Sequence, residues 1–402
     1  MKRCIFLFLF FIGIMFPISC FALDFPAHNS KNVLIFDKTD NNILYSYKSD
    51  EVKSIASLTK IVTTIVAIEK INNLDDEVVI TSDMIYSVDP IASKAGLRVD
   101  DRVTYRDLLY ASILPSGADA TNSLAILLSG SIENFVNDMN SFANKIGANN
   151  THFVNVTGLD VDNHYSSADD ILKIISYSLD NDLFYDIFTT KKYTLSNGLE
   201  VKSTLYKYFG DDIQQIEGSK TGFTGNAGYC IATLSNTDGH EIIIVLLDAE
   251  HKDDGYYNII DSVKFIDFIN NNYSNTLLMK KNSIITKLNI NLCVDDFYDV
   301  KAGSDIYKFL SSDYDDNLFK YRFSGKDKLT YRDKKGDKIG KVVYYYDNEI
   351  IFEEDIILSK DMKIDYFKVI KEYLFYEIIF VLVIIFIIVY IIWSRQKVKL
   401  KD

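Results

Sequence analysis

Residues 216–230 read IEGSKTGFTGNAGYC. Lys220, Thr221 and Gly222 follow one another directly, Gly225 and Gly228 mark turns, and the segment leads into an apolar run with the texture of a buried strand. A chain that only turned a corner would need the glycines but not the cation. Working outward, GYCIATLS (228–235) and EIIIVLLDA (241–249) flank Asn236-Thr237-Asp238-Gly239, a good hairpin turn. Tyr256, Ile259, Ile260, Val263 and Ile266 then recur at helical spacing and predict a closing helix. Far upstream, NVLIFDK (32–38) and NILYSYK (42–48) alternate around Thr39-Asp40-Asn41, a second hairpin. Between the hairpins the patterns are helical. Leu58, Ile61, Val62, Ile65 and Ile68 predict a helix from Ser57 with one apolar face inward, and YRDLLYASIL, DATNSLAILLSG, ENFVNDMNSFANKIG and ADDILKIISYSL follow between Tyr105 and Leu179. The order hairpin, helices, strands, helix implies an α+β fold in which one sheet is assembled from both ends of the domain around a helical middle.

The chain has 402 residues, a formal charge of -13 and a pI of about 4.9. An acidic field repels phosphate backbones, which excludes nucleic acid as the default partner. Lys2 and Arg3 precede an apolar run, Ile5 to Ile18, and the small-residue site Cys20-Phe21-Ala22, so residues 1–22 read as a signal peptide cleaved after Ala22. A lipidated Cys20 is the alternative, though Pro17-Ile18-Ser19 matches a lipobox poorly. At the other end Ile378 to Trp393 is unbroken apolar sequence, and residues 373–393 reach the ~20 residues of a spanning helix. The basic tail, 394–402, is expected on the cytoplasmic side, which places the rest outside the cell membrane. The catalytic-type region is bounded at 23–275, a β-rich domain with charged turns at 276–359, and a linker at 360–372. Outside the leader only Cys230 and Cys293 remain, in different domains, and both read as small buried apolar residues rather than a disulfide.

Ser57 and Lys60 stand three apart at a helix start, which brings their Cβ atoms to about 5–6 Å on one face. A serine hydroxyl is a weak nucleophile until a base takes its proton, and a lysine can be that base if burial or another cation destabilises its ammonium. A helix-capping serine followed by an exposed lysine gives the same spacing. Ser394 and Lys397 repeat it in the tail, where a solvated anchor charge is the sensible reading. Ser116 follows Pro115 at a turn between two helical patterns, where its hydroxyl either projects into a cleft or caps the next helix. Glycine at 222 allows close approach of a ligand or backbone, Thr221 offers a hydroxyl and Lys220 a positive charge.

The segments SLTK, PSGADA and KTG, in that order, resemble the three signatures of penicillin-binding enzymes and serine β-lactamases. ASLTKIVT, DLLYASILPSGADA, NTHFVNVTGLD, HYSSADDI and SKTGFTGNAGYC together resemble the low-molecular-weight D-alanyl-D-alanine carboxypeptidases over roughly residues 32–272, and KKGDKIGK is similar to part of their C-terminal β domain. The resemblance implies the β-lactamase/DD-peptidase-like fold, an antiparallel sheet with a helical lobe, followed by a small all-β domain. It implies that Ser57 attacks the carbonyl of the penultimate D-alanine with Lys60 as general base, and that Ser116 and Lys220 pass a proton toward the departing D-alanine. Lys220 and Thr221 would bind the terminal carboxylate beside Gly222, and the backbone N–H groups of Ser57 and Phe223 would hold the oxyanion. Peptidoglycan stem peptides would be the substrate and β-lactams covalent inhibitors.

Two positions depart from that family. Ala118 stands where the middle motif usually has asparagine, with Asp119 or Asn122 as available substitutes. No arginine occurs between Arg106 and Arg322, leaving lysine, threonine or His251 for a carboxylate clamp. Both departures point to weaker substrate positioning rather than inactivity. No cofactor or metal is expected, because the five histidines show no close-spaced ligand pair. DVDNHYSSADDI (160–171) lacks the glycine and glutamate of a calcium loop and reads as a polar loop capping the following helix. The rivals to a carboxypeptidase are a β-lactamase, a D,D-endopeptidase, or a silent scaffold that lost the asparagine at 118.

Overall fold

The computed structural model describes residues 23–210, 213–251 and 255–399, with the side chains of 394–399 left aside. The expected signal peptide, 1–22, the end of the basic tail and the Ser394–Lys397 pair lie outside what is described. The chain forms two compact units, one running to Ser274 with Phe309–Asp313 added, the other made of Asn275–Lys308 and the residues from Tyr314 on.

In the first unit β1 (Ser30–Asp37) and β2 (Asn42–Tyr47) form the upstream hairpin. After a 3-10 turn, Ala56–Leu58, the chain runs through α1 (Thr59–Lys70), β3 (Glu77–Val79), α2 (Ser82–Tyr86), β4 (Arg102–Thr104), α3 (Tyr105–Ile113), α4 (Ala118–Ser129), α5 (Ile132–Lys145), α6 (Ala168–Leu179) and α7 (Asp182–Thr189). It closes with β5 (Lys192–Thr194), β6 (Glu200–Lys202), α8 (Thr204–Phe209), β7 (Gly218–Thr224), β8 (Gly228–Thr237), β9 (His240–Ala249) and α9 (Tyr257–Asn272). The main sheet is antiparallel in the order β2-β1-β9-β8-β7, so strands from both ends of the domain meet at the β1–β9 pairing. This is the architecture expected from the sequence.

Both faces of the sheet are covered, which explains the unbroken apolar run of β9. Ile243, Val245 and Leu247 face the helical lobe with Leu34, Ala232 and Leu234. Ile242, Ile244 and Leu246 pack with Val33, Ile35, Ile231 and Phe265 of α9. The β8–β9 turn has Asp238 at φ 50 and Gly239 at φ 87, the left-handed pair a two-residue hairpin of this type requires.

The first central helix departs from the sequence reading. Every residue from Thr59 to Ala67 of α1 is buried, rather than one stripe of it. Its polar side chains tolerate this because each finds a partner: Thr63 donates to the Val156 carbonyl at 2.9 Å and Thr64 bonds Ser112 Oγ at 2.7 Å.

The second unit holds β10 (Tyr273–Met279) from Asn275 on, β11 (Ile284–Asn291), β12 (Phe297–Lys301), β13 (Ile306–Ser311) as far as Lys308, β14 (Phe319–Gly325), β15 (Lys328–Thr330), β16 (Lys338–Tyr346) and β17 (Glu349–Ile357). Two three-stranded sheets, β12-β11-β15 and β14-β16-β17, enclose a core that includes Leu288, Val300, Leu329, Val342 and Tyr344. α10 (Tyr366–Lys399) begins inside the stretch read as a linker, and its residues Tyr366–Trp393 are long and apolar enough to cross a membrane. Cys230 and Cys293 are both buried free thiols, as the sequence suggested.

Asp261 of α9 fastens the start of β1. Its carboxylate accepts the Asn29 and Ser30 N–H groups and the Ser30 hydroxyl, each at 2.8 Å, and it is fully buried. Asp261→Ala strands these donors and is expected to cost about 2–3 kcal/mol in urea unfolding. A midpoint equal to that of the wild type would show that the carboxylate does not hold this strand.

Candidate active site

The nucleophile candidate sits on the 3-10 turn ahead of α1, one residue after Ala56, whose φ of +47 lies in the left-handed region. No side chain caps α1, so Ser57 is not spent as a cap. Lys60 is buried and its Nζ lies 3.0 Å from Ser57 Oγ, while a second hydrogen bond of 2.5 Å runs to the Thr157 carbonyl. Burial pushes the Lys60 ammonium down to about 7, partly opposed by the charge of Asp119.

Ser116 occupies the turn between α3 and α4 with φ +62, again left-handed, and the N-cap of α4 is Gly117 without a side-chain bond. Its hydroxyl accepts from Lys220 Nζ at 3.0 Å, and the same amine donates to the Thr221 carbonyl at 2.7 Å. Lys220 is fully buried; burial first and repulsion from Lys60 second hold its ammonium well below the ordinary lysine value. Repulsion between two buried amines is mutual, so beside the effect of burial each disfavours a proton on the other.

β7 is the edge strand of the main sheet and it passes close to the serine turn. A β-carbon on Gly222 would sit 2.9 Å from the Ser57 nitrogen and 3.0 Å from Ala56 Cβ. The glycine therefore admits backbone rather than ligand. Thr221 Oγ1 bonds Thr204 Oγ1 of α8 at 2.6 Å. Phe223 is half-exposed; its ring meets Tyr229 in a tilted contact at 4.6 Å and stacks with His251 at 5.0 Å. His251 stacks against the rings of both Phe223 and Tyr229 beside the end of β7.

Neither substitute for an asparagine at 118 is free. Asp119 accepts the N–H groups of Ala95, Gly96 and Leu97 at 2.8–3.0 Å, and Asn122 donates to Ser87 Oγ at 2.9 Å. Ala118 itself is fully buried. The loop 150–167 supplies what motif reading missed. Asn155 Oδ1 accepts from the N–H groups of Thr157 and Gly158, shaping the turn that aims the Thr157 carbonyl at Lys60. Asp160 accepts from Thr224 Oγ1 and the Asn226 N–H and ties the loop to the β7–β8 hairpin. Ser167 caps α6, as the polar-loop reading required. An asparagine followed by Val-Thr-Gly was the signal available for the carbonyl turn. Among the described residues, Asp37, Asp40 and His240 could offer ligand atoms within 4.8 Å of one another, but His240 already bonds Asp37 at 2.9 Å, and no motif residue belongs to that group.

Two hydroxyl–amine pairs thus converge from three distant segments beside an edge strand. That geometry agrees with comparison to known proteins. Residues 20–251 match the D-alanyl-D-alanine carboxypeptidase family, and residues 273–363 match the penicillin-binding protein 5 C-terminal domain. The chain belongs to the D-alanyl-D-alanine carboxypeptidase family of serine peptidases. It is 29% identical over 351 residues to the D-alanyl-D-alanine carboxypeptidase DacF of Bacillus subtilis, covering 84% of this chain and 87% of that one. A D-alanyl-D-alanine endopeptidase of Escherichia coli is 30% identical over 229 residues, covering 56% of this chain and 73% of the other. The crystal structure of penicillin-binding protein 5 from Haemophilus influenzae superposes with a TM-score of 0.62 at 26% identity, covering 85% of this chain and all of that one.

Gly222→Val forces β7 away from the serine turn. Misplacement of about 1 Å at a reacting centre costs on the order of 100-fold, so acylation by a fluorescent penicillin is expected to slow by about that factor while far-UV circular dichroism is unchanged. Labelling at the wild-type rate would mean that the close approach is dispensable.

Proposed function

We propose that this serine-type D-Ala-D-Ala carboxypeptidase removes the terminal D-alanine of peptidoglycan stem peptides through an acyl-enzyme on Ser57. The observation that carries the residue assignment is the buried Lys60 amine, 3.0 Å from the Ser57 hydroxyl and with an ammonium held near pH 7. Ser57 Oγ attacks the carbonyl carbon of the penultimate D-alanine as its proton passes to Lys60. The tetrahedral oxyanion is held by the backbone N–H groups of Ser57 and Phe223. The C–N bond then breaks, with the leaving amine taking a proton through Ser116 and Lys220. Water attacks the resulting ester, releases the shortened peptide as a carboxylate and restores the serine. β-Lactams acylate the same hydroxyl.

Lys220 and Thr221 receive the substrate's terminal carboxylate. Burial favours a neutral Lys220; an arriving anion favours the ammonium. The Thr204 hydroxyl, bonded to Thr221 Oγ1 at 2.6 Å, is a further polar group beside Thr221.

The protein acts at the cell envelope. We place residues 1–22 as a cleaved signal peptide, 23–275 as the peptidase domain, 276–359 as the β-rich domain and 373–393 as a single membrane span reached through 360–372, with 394–402 cytoplasmic. The apolar stretch Tyr366–Trp393 supports the anchor. Extended similarity to DacF over both regions, against similarity to the endopeptidase over 56% of the chain, favours carboxypeptidase over endopeptidase activity.

Detergent-solubilised full chain given a pentapeptide ending in D-Ala-D-Ala is expected to release free D-alanine, and Ser57→Ala to release none. Equal, background release from both would favour the scaffold reading. A penicillin label that persists for many minutes is expected, and rapid turnover of the label would instead mark a β-lactamase.

Since only the neutral Lys60 amine accepts a proton, the acylation rate should rise about tenfold per pH unit from pH 5 toward 7 and level off above about 8. A profile flat across that range would remove Lys60 as the base.

A further inference from the structure

His164 belongs to none of the three motifs, yet it is buried, only 5% exposed, within the loop that faces the start of α1. Its Nδ1 accepts the Val154 N–H at 3.1 Å. A ring nitrogen that accepts carries no proton, so the proton sits on Nε2. Nε2 lies 2.8 Å from Thr59 Oγ1 and donates to it. The threonine hydroxyl then donates onward to the Ala56 carbonyl at 2.9 Å. The chain of bonds has one direction, and it ends on the peptide group that leads into Ser57.

That carbonyl is gripped from a second side. Gly158 has φ +85, and a β-carbon there would lie 1.9 Å from the Ala56 oxygen. Ala56, at φ +47, holds a conformation that a residue with a β-carbon keeps only where its surroundings over-determine it. Burial, with repulsion from His152 next, holds the imidazolium down to about 4, so the ring stays neutral and the single tautomer is kept.

We propose that His164 is a positioning residue for the acylation step: acting through Thr59, it fixes the Ala56 carbonyl and thereby the direction in which the Ser57 hydroxyl meets Lys60. The inference rests on Ser57 being the acylated residue. A group that orders the nucleophile without touching substrate contributes to kcat and leaves substrate binding nearly unchanged.

The test uses the full chain in detergent and two readouts: the rate of acylation by a fluorescent penicillin, and kcat and KM for D-alanine release. His164→Leu, which cannot donate, and Thr59→Val, which cannot relay, are each expected to acylate about 10–100-fold more slowly with KM nearly constant. His164→Gln and Thr59→Ser restore an N–H or a hydroxyl and are expected to recover most of the rate. The double variant His164→Leu/Thr59→Val should be no slower than the slower single one, because both break the same relay. Acylation at the wild-type rate in His164→Leu or Thr59→Val would overturn the proposal. So would equal losses in the leucine and glutamine variants, which mark a packing role only. Should His164→Leu fail to fold, the Thr59→Val and Thr59→Ser pair decides. Penicillin labelling that survives in Ser57→Ala would sink the underlying assignment of the nucleophile, which is a separate outcome.

Discussion

Two lysine amines are withdrawn from water in one cleft, and much of the local structure follows from that. An ammonium buried without a counter-charge is costly, and two near one another cost more, so the site favours neutral amines. Each amine still needs partners. Lys60 finds the Thr157 carbonyl and the Ser57 hydroxyl, and Lys220 finds the Thr221 carbonyl and the Ser116 hydroxyl. The negative charge that acts on Lys60, that of Asp119, is itself committed to three backbone N–H groups. It offsets the cost of a proton on Lys60 only in part. A fully charged lysine would be a poor base, and an unpartnered neutral one would not stay in place.

Holding hydroxyls against those amines requires unusual backbone. Ala56 and Ser116 both adopt positive φ, a conformation costing about 1–3 kcal/mol outside glycine. Gly222 and Gly158 sit where any side chain would collide with the serine turn. The supports are rigid: a buried helix, an edge strand bonded along its length to β8, and a loop stitched by Asn155 and Asp160. Precision of this kind is what positioning of reacting groups demands.

The sheet was legible because its strands had strong local signals. β9 is continuously apolar, the hairpin turns carry Asn, Asp and Gly, and the closing helix repeats at the right interval. The candidate site was legible where side chains make the contacts, as in the Ser57–Lys60 and Ser116–Lys220 pairs. It was not legible where backbone does. The Thr157 carbonyl is signalled only indirectly, through the Asn155-Val156-Thr157-Gly158 turn, and the N–H set that occupies Asp119 has no residue signature. α1 misled for a related reason: its threonines look like a solvent face, but their hydroxyls are satisfied inside the lobe by Val156 and Ser112. α7, α8 and the small β3–β4 and β5–β6 pairs are too short for periodicity to reveal. Thr204 went unnoticed with them, and with it the hydroxyl partner of Thr221.

The charge of Lys220 links recognition to chemistry. Burial favours its neutral form before substrate arrives, whereas a bound carboxylate would favour the cation, so on the proposed reading binding is coupled to proton uptake. A chain end lacking a carboxylate would leave the Lys220 amine neutral and gain no ion pair there. On that reading, discrimination against such ends arises from the missing charge pairing rather than from a shape that excludes them, and no arginine is needed to supply it. The hydroxyl of Thr204 makes a different contribution: by engaging Thr221 Oγ1 it limits the orientations that hydroxyl can take, which orders one edge of the proposed carboxylate site before any ligand enters.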